Sequence, residues 1–445
     1  MNSKVLICGL GTTGKSAMEI FDPLKTDIYV HDDNEKNYEN LPEYVSIYSG
    51  EDVDYMIKSP GIPLNHPFVK EIAEKGIEII SDIELAYRIT ECENIIAISG
   101  TNGKTTITSL LQEVFQEAGK TSYMGGNVGI GILPLAQKAK KDDILVIECS
   151  SFQLETTTTF APKIAILTNV TEDHLDHHGS LENYQESKKK IFANQKEGDA
   201  LILNVDDPYL AMLGEEREEA YVVSLHSVQQ YGAYESEGEL FYNIEGKPTF
   251  FMNRKEIGVV GDHNVRNLLE VLLAALLMGV EPESIRKTFQ NFRGVEHRIE
   301  FVGEHNGVRA YNDSKGTNPD STMVAVKAME WDTLLLAGGY NKGSDYHELL
   351  ESGKNKIKKL YLFGETAEII EETAQELGYK NIERFPSLKD ATLNALVEAK
   401  ENEAILLSPA CASWDQFKNY EERGREFKEL VKQFWKEKMS NGEEE

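Results

Sequence analysis

Short apolar runs closed by glycines or acids recur along the whole chain. They alternate with longer stretches in which apolar residues return every three or four positions. KVLIC, DIYVHDD, VDYMIKSPG and IEIISD form a first set ending near residue 81, and they predict the strands of a small parallel α/β unit. A helical segment, DIELAYRITEC, leads to a second set: NIIAISG, DILVIECSS, KIAILTNV and DALILNVDD. Between them TTITSLLQEVFQEAG has helical spacing. FYNIEGKPTFFMNRKEIGVVG reads as antiparallel hairpins, and NVRNLLEVLLAALLMGV as an apolar helix too short and too broken for a membrane span. Near residue 294 the alternation restarts with RAYNDS, TLLLAGG, KKLYLFG and AILLSPA, four strands with helices between them. The pattern thus predicts an α/β protein of three domains, 1–81, 82–294 and 295–445. That agrees with the length of 445 residues at roughly 150 per domain.

Composition narrows the function. Forty per cent hydrophobic residues suffice for packed cores. The amino terminus MNSKVLICGL enters a strand directly, unlike a signal peptide. Cys8, Cys92, Cys149 and Cys411 are far apart, so buried, reduced thiols of a cytoplasmic protein are expected. A net charge of −29 argues against a nucleic-acid partner, because phosphate backbones need a basic surface. Part of that charge lies in GEEREEA and the tail NGEEE, read as a solvated face and a frayed end. Any phosphate bound here must be held by local devices such as helix amino termini, glycine loops, a few cations or a metal ion.

Two such devices are visible. GLGTTG, with Gly9, Gly11 and Gly14, follows a strand and opens a helix, and Asp32 and Asp33 close the next strand. In that context the spacing fits a nucleotide diphosphate turn, with a tight packing turn as the bland alternative. SGTNGKTT departs from the standard phosphate loop, since Ile98 stands where the first glycine belongs. It still offers Gly100, Thr101, Asn102, Gly103, Lys104, Thr105 and Thr106 between a strand and a helix, which suits ATP and Mg²⁺. ATP beside a second phosphorylated ligand points to phosphoryl transfer or ligation, not to hydride transfer.

Later strand ends carry further chemistry. Glu148 closes DILVIE, where an acid can serve Mg²⁺ or simply cap a helix. NVTEDHLDHHGS brings Asn169, Glu172, Asp173, His174, Asp176, His177 and His178 after the next strand. The bland reading is a helix entry capped by Thr171, with histidines in solvent. Three histidines resemble a zinc cluster, but their spacing shows no open tetrahedral set, so one histidine beside Mg²⁺ or phosphate is the better expectation. The three lysines of YQESKKKIF are, by sequence alone, indistinguishable solvated cations.

GTNGKTT, ECSSFQLE, NVTEDHLDHHG, GDHNVRN, GVEHR, NDSKGTN, LAGGYNKG and LSPACASWDQFKNY, in this order, closely resemble the Mur ligases, in particular the members that add D-glutamate. The match spans essentially the whole chain. GTNGKTT is shared with sister ligases and folylpolyglutamate synthases, whereas NDSKGTN with SPACASWDQFKNY is far more specific. The resemblance implies Rossmann-like first and last domains around a central P-loop-type ATPase domain. The first would bind the UDP end of UDP-N-acetylmuramoyl-L-alanine, the second ATP, and the third the incoming D-glutamate. It also implies a cytoplasmic monomer of peptidoglycan precursor synthesis.

In that chemistry ATP phosphorylates the L-alanine carboxylate, and the D-glutamate amine then displaces phosphate. By resemblance, Lys104 steadies the γ-phosphate, while Thr105 and Glu148 hold one Mg²⁺. His174 and a carbamylated lysine serve a second Mg²⁺, and the family pattern selects Lys188 over its neighbours Lys189 and Lys190. Asn264 and Arg298 correspond to ATP contacts and Asp313 to a ribose or hinge-side contact. Thr12, Thr13, Asp32, Ser59, Asn127 and His174 fall where the UDP substrate is held. Lys315, Thr317, Lys342, Ser413 and Tyr420 fall where D-glutamate binds, cations and hydroxyls suiting its two carboxylates. Some relatives have phenylalanine in place of Tyr420, which is harmless if the backbone amide does the binding. A helix-start cap and a packed aromatic are the bland readings of Ser413 and Tyr420, and Cys411 reads as a buried small residue.

Other readings fit less. A diamino-acid ligase usually carries a DNP signature that is absent, and NDSKGTN stands in a different local context. An NAD-dependent oxidoreductase rests on GLGTTG alone. A non-catalytic nucleotide scaffold has no need of Glu148, His174 and Lys188 together.

Overall fold

A strand that is apolar at every position must be covered on both faces, and parallel strands with helical crossovers provide that cover. The computed structural model describes residues 2–442, with backbone alone for Leu175, Asp176 and 440–442. The Asp176 side chain and the end of the acidic tail therefore lie outside the described residues. Among the described residues the strands form three sheets.

The first sheet is parallel, in the order β3-β2-β1-β4-β5, from β1 (Ser3–Cys8), β2 (Thr26–His31), β3 (Val45–Ile47), β4 (Tyr55–Lys58) and β5 (Glu78–Ile80). The second sheet contains β6 (Asn94–Ser99), β7 (Ser122–Gly126), β8 (Ile144–Glu148), β9 (Ile164–Leu167), β10 (Ala200–Asn204) and β11 (Tyr221–Ser224). It continues with β12 (Gly232–Ser236), β13 (Glu239–Asn243) and β14 (Thr249–Asn253). Its order is β14-β13-β12-β11-β10-β9-β6-β8-β7, antiparallel only at the β12-β13-β14 meander. The third sheet, from β15 (Glu300–His305), β16 (Val308–Asn312), β17 (Asp332–Gly338), β18 (Ile357–Phe363), β19 (Ile382–Phe385) and β20 (Glu403–Leu407), runs β15-β16-β20-β17-β18-β19. Only its β15–β16 pair is antiparallel.

The continuous apolar runs are the central strands: β6, β8 and β9 are buried along almost their whole length. The elements that the pattern missed, such as β7, β11, β15 and β19, are short or half-exposed strands. Hence the last sheet has six strands, not four. The apolar helix Asp262–Leu277 is buried at consecutive positions from Val271 to Ala275, as expected of a helix hydrophobic on all sides. No helix among the described residues is long and apolar enough to cross a membrane.

The chain forms two compact bodies, 1–256 with 265–290, and 257–264 with 291–445. In the first body, two sheets share one core. Ala17 and Ile20 of the helix Thr12–Ile20 join the same cluster as Ile132, Leu133 and Ala136 of the helix Ile132–Lys138. The segment after residue 81 is thus a packed helix, Asp82–Ile89, capped by the Ser81 hydroxyl, which accepts from Glu84 N. From that helix the buried Glu84 carboxylate accepts from the Thr158, Thr159 and Phe160 amides, the Thr159 hydroxyl and Arg88.

Two buried acids in this body respond to pH in opposite ways. Burial alone would raise the Glu84 carboxyl, but its donors outweigh this and hold it below the ordinary range. Glu270 is fully buried with neither oxygen hydrogen-bonded among the described residues, and burial pushes it up to about 8, against Thr168 and Arg266. Glu84 therefore stabilises the fold above the unfolded carboxyl pKa of about 4.3, and that contribution is lost as pH falls. Glu270 favours the fold fully below about 4.3, and the contribution drains away as pH rises towards 8. In thermal melts from pH 4 to 9, Glu84→Gln should lower the Tm by several degrees at pH 7 with the deficit narrowing in acid. Glu270→Gln should flatten the alkaline decline of the Tm.

Candidate active site

The stretch SGTNGKTT joins β6 to the helix Lys104–Glu117, so its amides sit at a helix amino terminus. Gly100 (φ 150°) and Gly103 (φ 87°) take conformations that favour glycine, and space forbids a side chain as well. A Cβ on Gly100 would lie 2.3 Å from Thr168 Cγ2, and one on Gly103 2.6 Å from Asn267 Oδ1. Asn169, at the end of β9, pins the loop: its Oδ1 accepts from Asn102 N at 2.8 Å and its Nδ2 donates to Asn102 O at 3.0 Å. Thr101 Oγ1 bonds both the N–H and the carbonyl of Thr171 and lies 3.1 Å from the Tyr184 hydroxyl. Thr171 thus serves the loop and is no helix cap.

Two lysines meet at this loop. Lys104 Nζ donates to Gly100 O at 2.8 Å and Thr101 O at 2.9 Å. Lys188 Nζ, arriving from the helix Leu181–Lys189, donates to the same Gly100 O at 2.9 Å. Lys188 is 1% exposed and lies 4.5 Å from the Tyr184 ring centroid. Burial, and then the Lys104 charge, hold its amine well below the ordinary lysine range. Its neighbours differ: Lys189 pairs with Glu186 on the surface, and Lys190 Nζ donates to Glu155 O.

The other glycine turn lies in the same body. Gly9, Gly11, Thr12, Thr13, Asp32, Ser59 and Asn127 line one groove of about 400 Å³. Gly14 lies under it, where a Cβ would fall 2.2 Å from Gly9 O, so its role is close packing of helix on turn. Burial tends to raise the Asp32 carboxyl, but the amides of Leu10 and Asn34 and the Asn37 side chain hold it low, so it braces the turn. Asp82 and Gln153 also line the groove and escaped the sequence reading. Buried Asp82 accepts from the Thr13 hydroxyl and from Gln153 Nε2. At the far side, Asn127 N donates to Glu148 O, and Asn127 Nδ2 to Glu148 Oε1 at 3.0 Å. Glu148 is 2% exposed, and its other oxygen has no hydrogen-bond partner among the described residues. A buried carboxylate oxygen left open in this way fits a cation ligand.

His174, at φ 52°, keeps its ring half-exposed, 3.5 Å from Asp173 and against Phe152. No hydrogen bond among the described residues joins it to Glu148 or Lys188. His177 and His178 are not in solvent: their rings are largely buried beside Glu155.

In the second body, Asp313 is buried, accepts from the Ser408 hydroxyl and Ile299 N, and is pushed up to about 7 by burial. Arg298 Nε is buried without a hydrogen-bond partner among the described residues, and Asn264 Nδ2 donates to Val260 O. Lys315 Nζ lies 5.8 Å from the Tyr420 ring, and Lys342 Nζ 4.8 Å from that of Trp414. Thr317 N donates to Lys315 O, while buried Ser413 accepts at its carbonyl from Gln416 and Phe417. Arg423, unnoticed in the sequence, ties together the segments that follow β16 and β20: fully buried, it donates to Ser314 Oγ, Ser314 O and Cys411 O.

Comparison with known proteins places this arrangement. Residues 98–275 match the Mur ligase middle domain, 297–411 the Mur ligase glutamate ligase domain, and 3–81 the MurD-like N-terminal domain of Mur ligases. The chain belongs to the Mur ligase family. Among curated relatives of this Mur ligase, the UDP-N-acetylmuramoylalanine--D-glutamate ligase of Thermoanaerobacter sp. (strain X514) is 42% identical, covering 96% of this chain and 98% of that one. The protein of the same name from Clostridioides difficile (strain 630) is 37% identical over the same shares. The UDP-N-acetylmuramate-alanine ligase structure from Thermotoga maritima superposes with a TM-score of 0.57 at 19% identity, covering 97% of this chain and 99% of the other. The MurF ligase of that organism, solved with ADP, gives 0.55 at 18% identity over 86% and 90%. Both show the shared fold.

The loop geometry makes Gly100→Ala costly in this Mur ligase even without ligand. Urea denaturation should report a loss of about 1–3 kcal/mol, because the new methyl meets Thr168 in a conformation unfavourable to alanine.

Proposed function

We propose that the chain joins D-glutamate to UDP-N-acetylmuramoyl-L-alanine in the cytoplasm, converting ATP to ADP and phosphate by way of an acyl phosphate. The observation that carries this reading is the buried, weakly basic Lys188 amine on the Gly100 carbonyl, in a chain alignable almost end to end with ligases of that name. Support for ATP also comes from the MurF ligase of similar fold that was solved with ADP.

The groove lined by Gly9, Gly11, Thr12, Thr13, Asp32, Ser59 and Asn127 takes the UDP substrate, and the amides of 100–106 take the ATP phosphates. Lys104, resting on loop carbonyls, turns to the γ-phosphate when that charge arrives. Asn264, Arg298 and Asp313, in the second body, are the candidate ATP contacts there. A neutral Lys188 amine can add CO₂, losing one proton, to give a carbamate, which turns a nitrogen donor into an anionic oxygen ligand. Held by Thr105, Glu148, His174 and that carbamate, two Mg²⁺ ions would neutralise phosphate charge. The open Glu148 oxygen is the structural feature that fits such an ion. Lys315, Thr317, Lys342, Ser413 and Tyr420 orient D-glutamate, whose amine attacks the acyl carbon and expels phosphate.

Phosphate release should require ATP, UDP-N-acetylmuramoyl-L-alanine and D-glutamate together; equal turnover with L-lysine or meso-diaminopimelate would overturn the amino-acid assignment. Lys104→Ala should lower kcat about 10²–10³-fold with its circular dichroism unchanged. Lys188→Ala should be inactive and partly rescued by short carboxylic acids, which can lend the missing anionic oxygens. A fully active Lys188→Ala protein would remove the carbamate from the scheme.

A further inference from the structure

The histidines of NVTEDHLDHHGS do not by themselves make a metal set, but folding adds a carboxylate from another part of the chain. Glu155, just past the helix Ser151–Leu154, reaches both His177 and His178. His177 Nε2 lies 3.2 and 3.0 Å from the two Glu155 oxygens, and His178 Nδ1 lies 3.0 Å from Oε1. The three ligand atoms are all within 4.8 Å of one another. Ligand bonds of 2.0–2.1 Å to a tetrahedral ion imply edges of about 3.3 Å, close to the two separations between Glu155 Oε1 and the histidine nitrogens. We propose that Glu155, His177 and His178 form a binding site for a borderline divalent transition ion of the zinc class, separate from the phosphate loop.

The surroundings suit the ion. The Glu155, His177 and His178 side chains are only 12%, 14% and 1% exposed, yet all three line a groove of about 660 Å³, so water can supply a fourth ligand. His178 Nε2 lies 3.0 Å from the Ser151 hydroxyl. The tautomer protonated at Nε2 donates to Ser151 and leaves the Nδ1 lone pair for metal, the support from behind that metal-bound histidines use. His177 likewise binds through Nε2 with its proton on Nδ1. Lys190 bonds the Glu155 backbone carbonyl and not its carboxylate. Two nitrogens and a carboxylate favour zinc or cobalt over magnesium, which prefers oxygen alone.

Bound there, the ion would staple the helix Ser151–Leu154 to the turn Leu175–His178. The experiment titrates the metal-free full-length chain with Co²⁺, then displaces it with Zn²⁺. The expected result is one equivalent with the intense visible absorption of tetrahedral cobalt, and a Tm raised by several degrees. Glu155→Gln and His177→Gln should each abolish the band while His174→Ala retains it. His177→Gln changes the most exposed of the three groups, so circular dichroism will show it folded and it decides the matter if Glu155→Gln unfolds. No cobalt uptake, or uptake unchanged in His177→Gln, would overturn the site and leave a purely hydrogen-bonded Glu–His pair.

Discussion

Two ammonium groups converge on a single carbonyl oxygen, that of Gly100. In water this would matter little. In a buried pocket, where like charges are poorly screened, both cannot remain comfortably protonated. Lys104 has an exit, since its side chain is only partly buried and follows the loop. Lys188 has none, and its amine yields. The crowding at one oxygen thus separates a partly buried lysine from a buried one whose amine is held well below the ordinary lysine range. The proposed scheme uses the first as a counter-charge for phosphate and the second as the amine that takes up CO₂. That division of labour is what the proposed chemistry requires of them.

The arrangement also suits the proposed binding of polyphosphates by a protein with a net charge of −29. It needs no basic surface. Asn169 holds the loop at Asn102, the helix Lys104–Glu117 starts at the right place, and the Lys104 ammonium lies on the loop itself. At physiological salt, exposed charges beyond about 8 Å are largely screened, so the acidic surface imposes little penalty on a site built from contacts. The same economy governs the first glycine turn, where Asp32, just past β2, accepts from the backbone amides of Leu10 and Asn34.

What could be read from the sequence was whatever is contiguous in it. A glycine loop lies between its strand and its helix in the chain as in space, so both cradles were legible with their frames. The fully buried central strands were legible because burial on both faces leaves no polar interruption. Edge strands such as β7, β15 and β19 were not, since a half-exposed strand of three to six residues resembles a loop. The longer-range contacts were equally hidden. Nothing near Asp82 announces Thr13 and Gln153, nothing near His177 announces Glu155, and nothing near Arg423 announces Ser314. The choice of Lys188 among three adjacent lysines came from family likeness alone. A helix turns about 100° per residue, so only one of three neighbours can face the loop, and burial shows which.

Both glycine loops belong to one body and share one core, so packed strands set the spacing between them. Asn127 lines the groove of the first glycine turn and bonds Glu148 through both its backbone and its side chain. A UDP substrate touching Asn127 and an ion held by Glu148 would therefore be set at a distance governed by packed strands, not by a flexible loop. The candidate D-glutamate residues all lie in the other body. In the proposed sequence this suits the chemistry: activation of the carboxylate needs rigid alignment of two phosphorylated ligands, whereas the amine can be brought in afterwards. A small hydrogen-bonded node, Thr13–Asp82–Gln153, carries the same logic, because it ties the wall of the groove at the first glycine turn to the helix that follows β8 and Glu148.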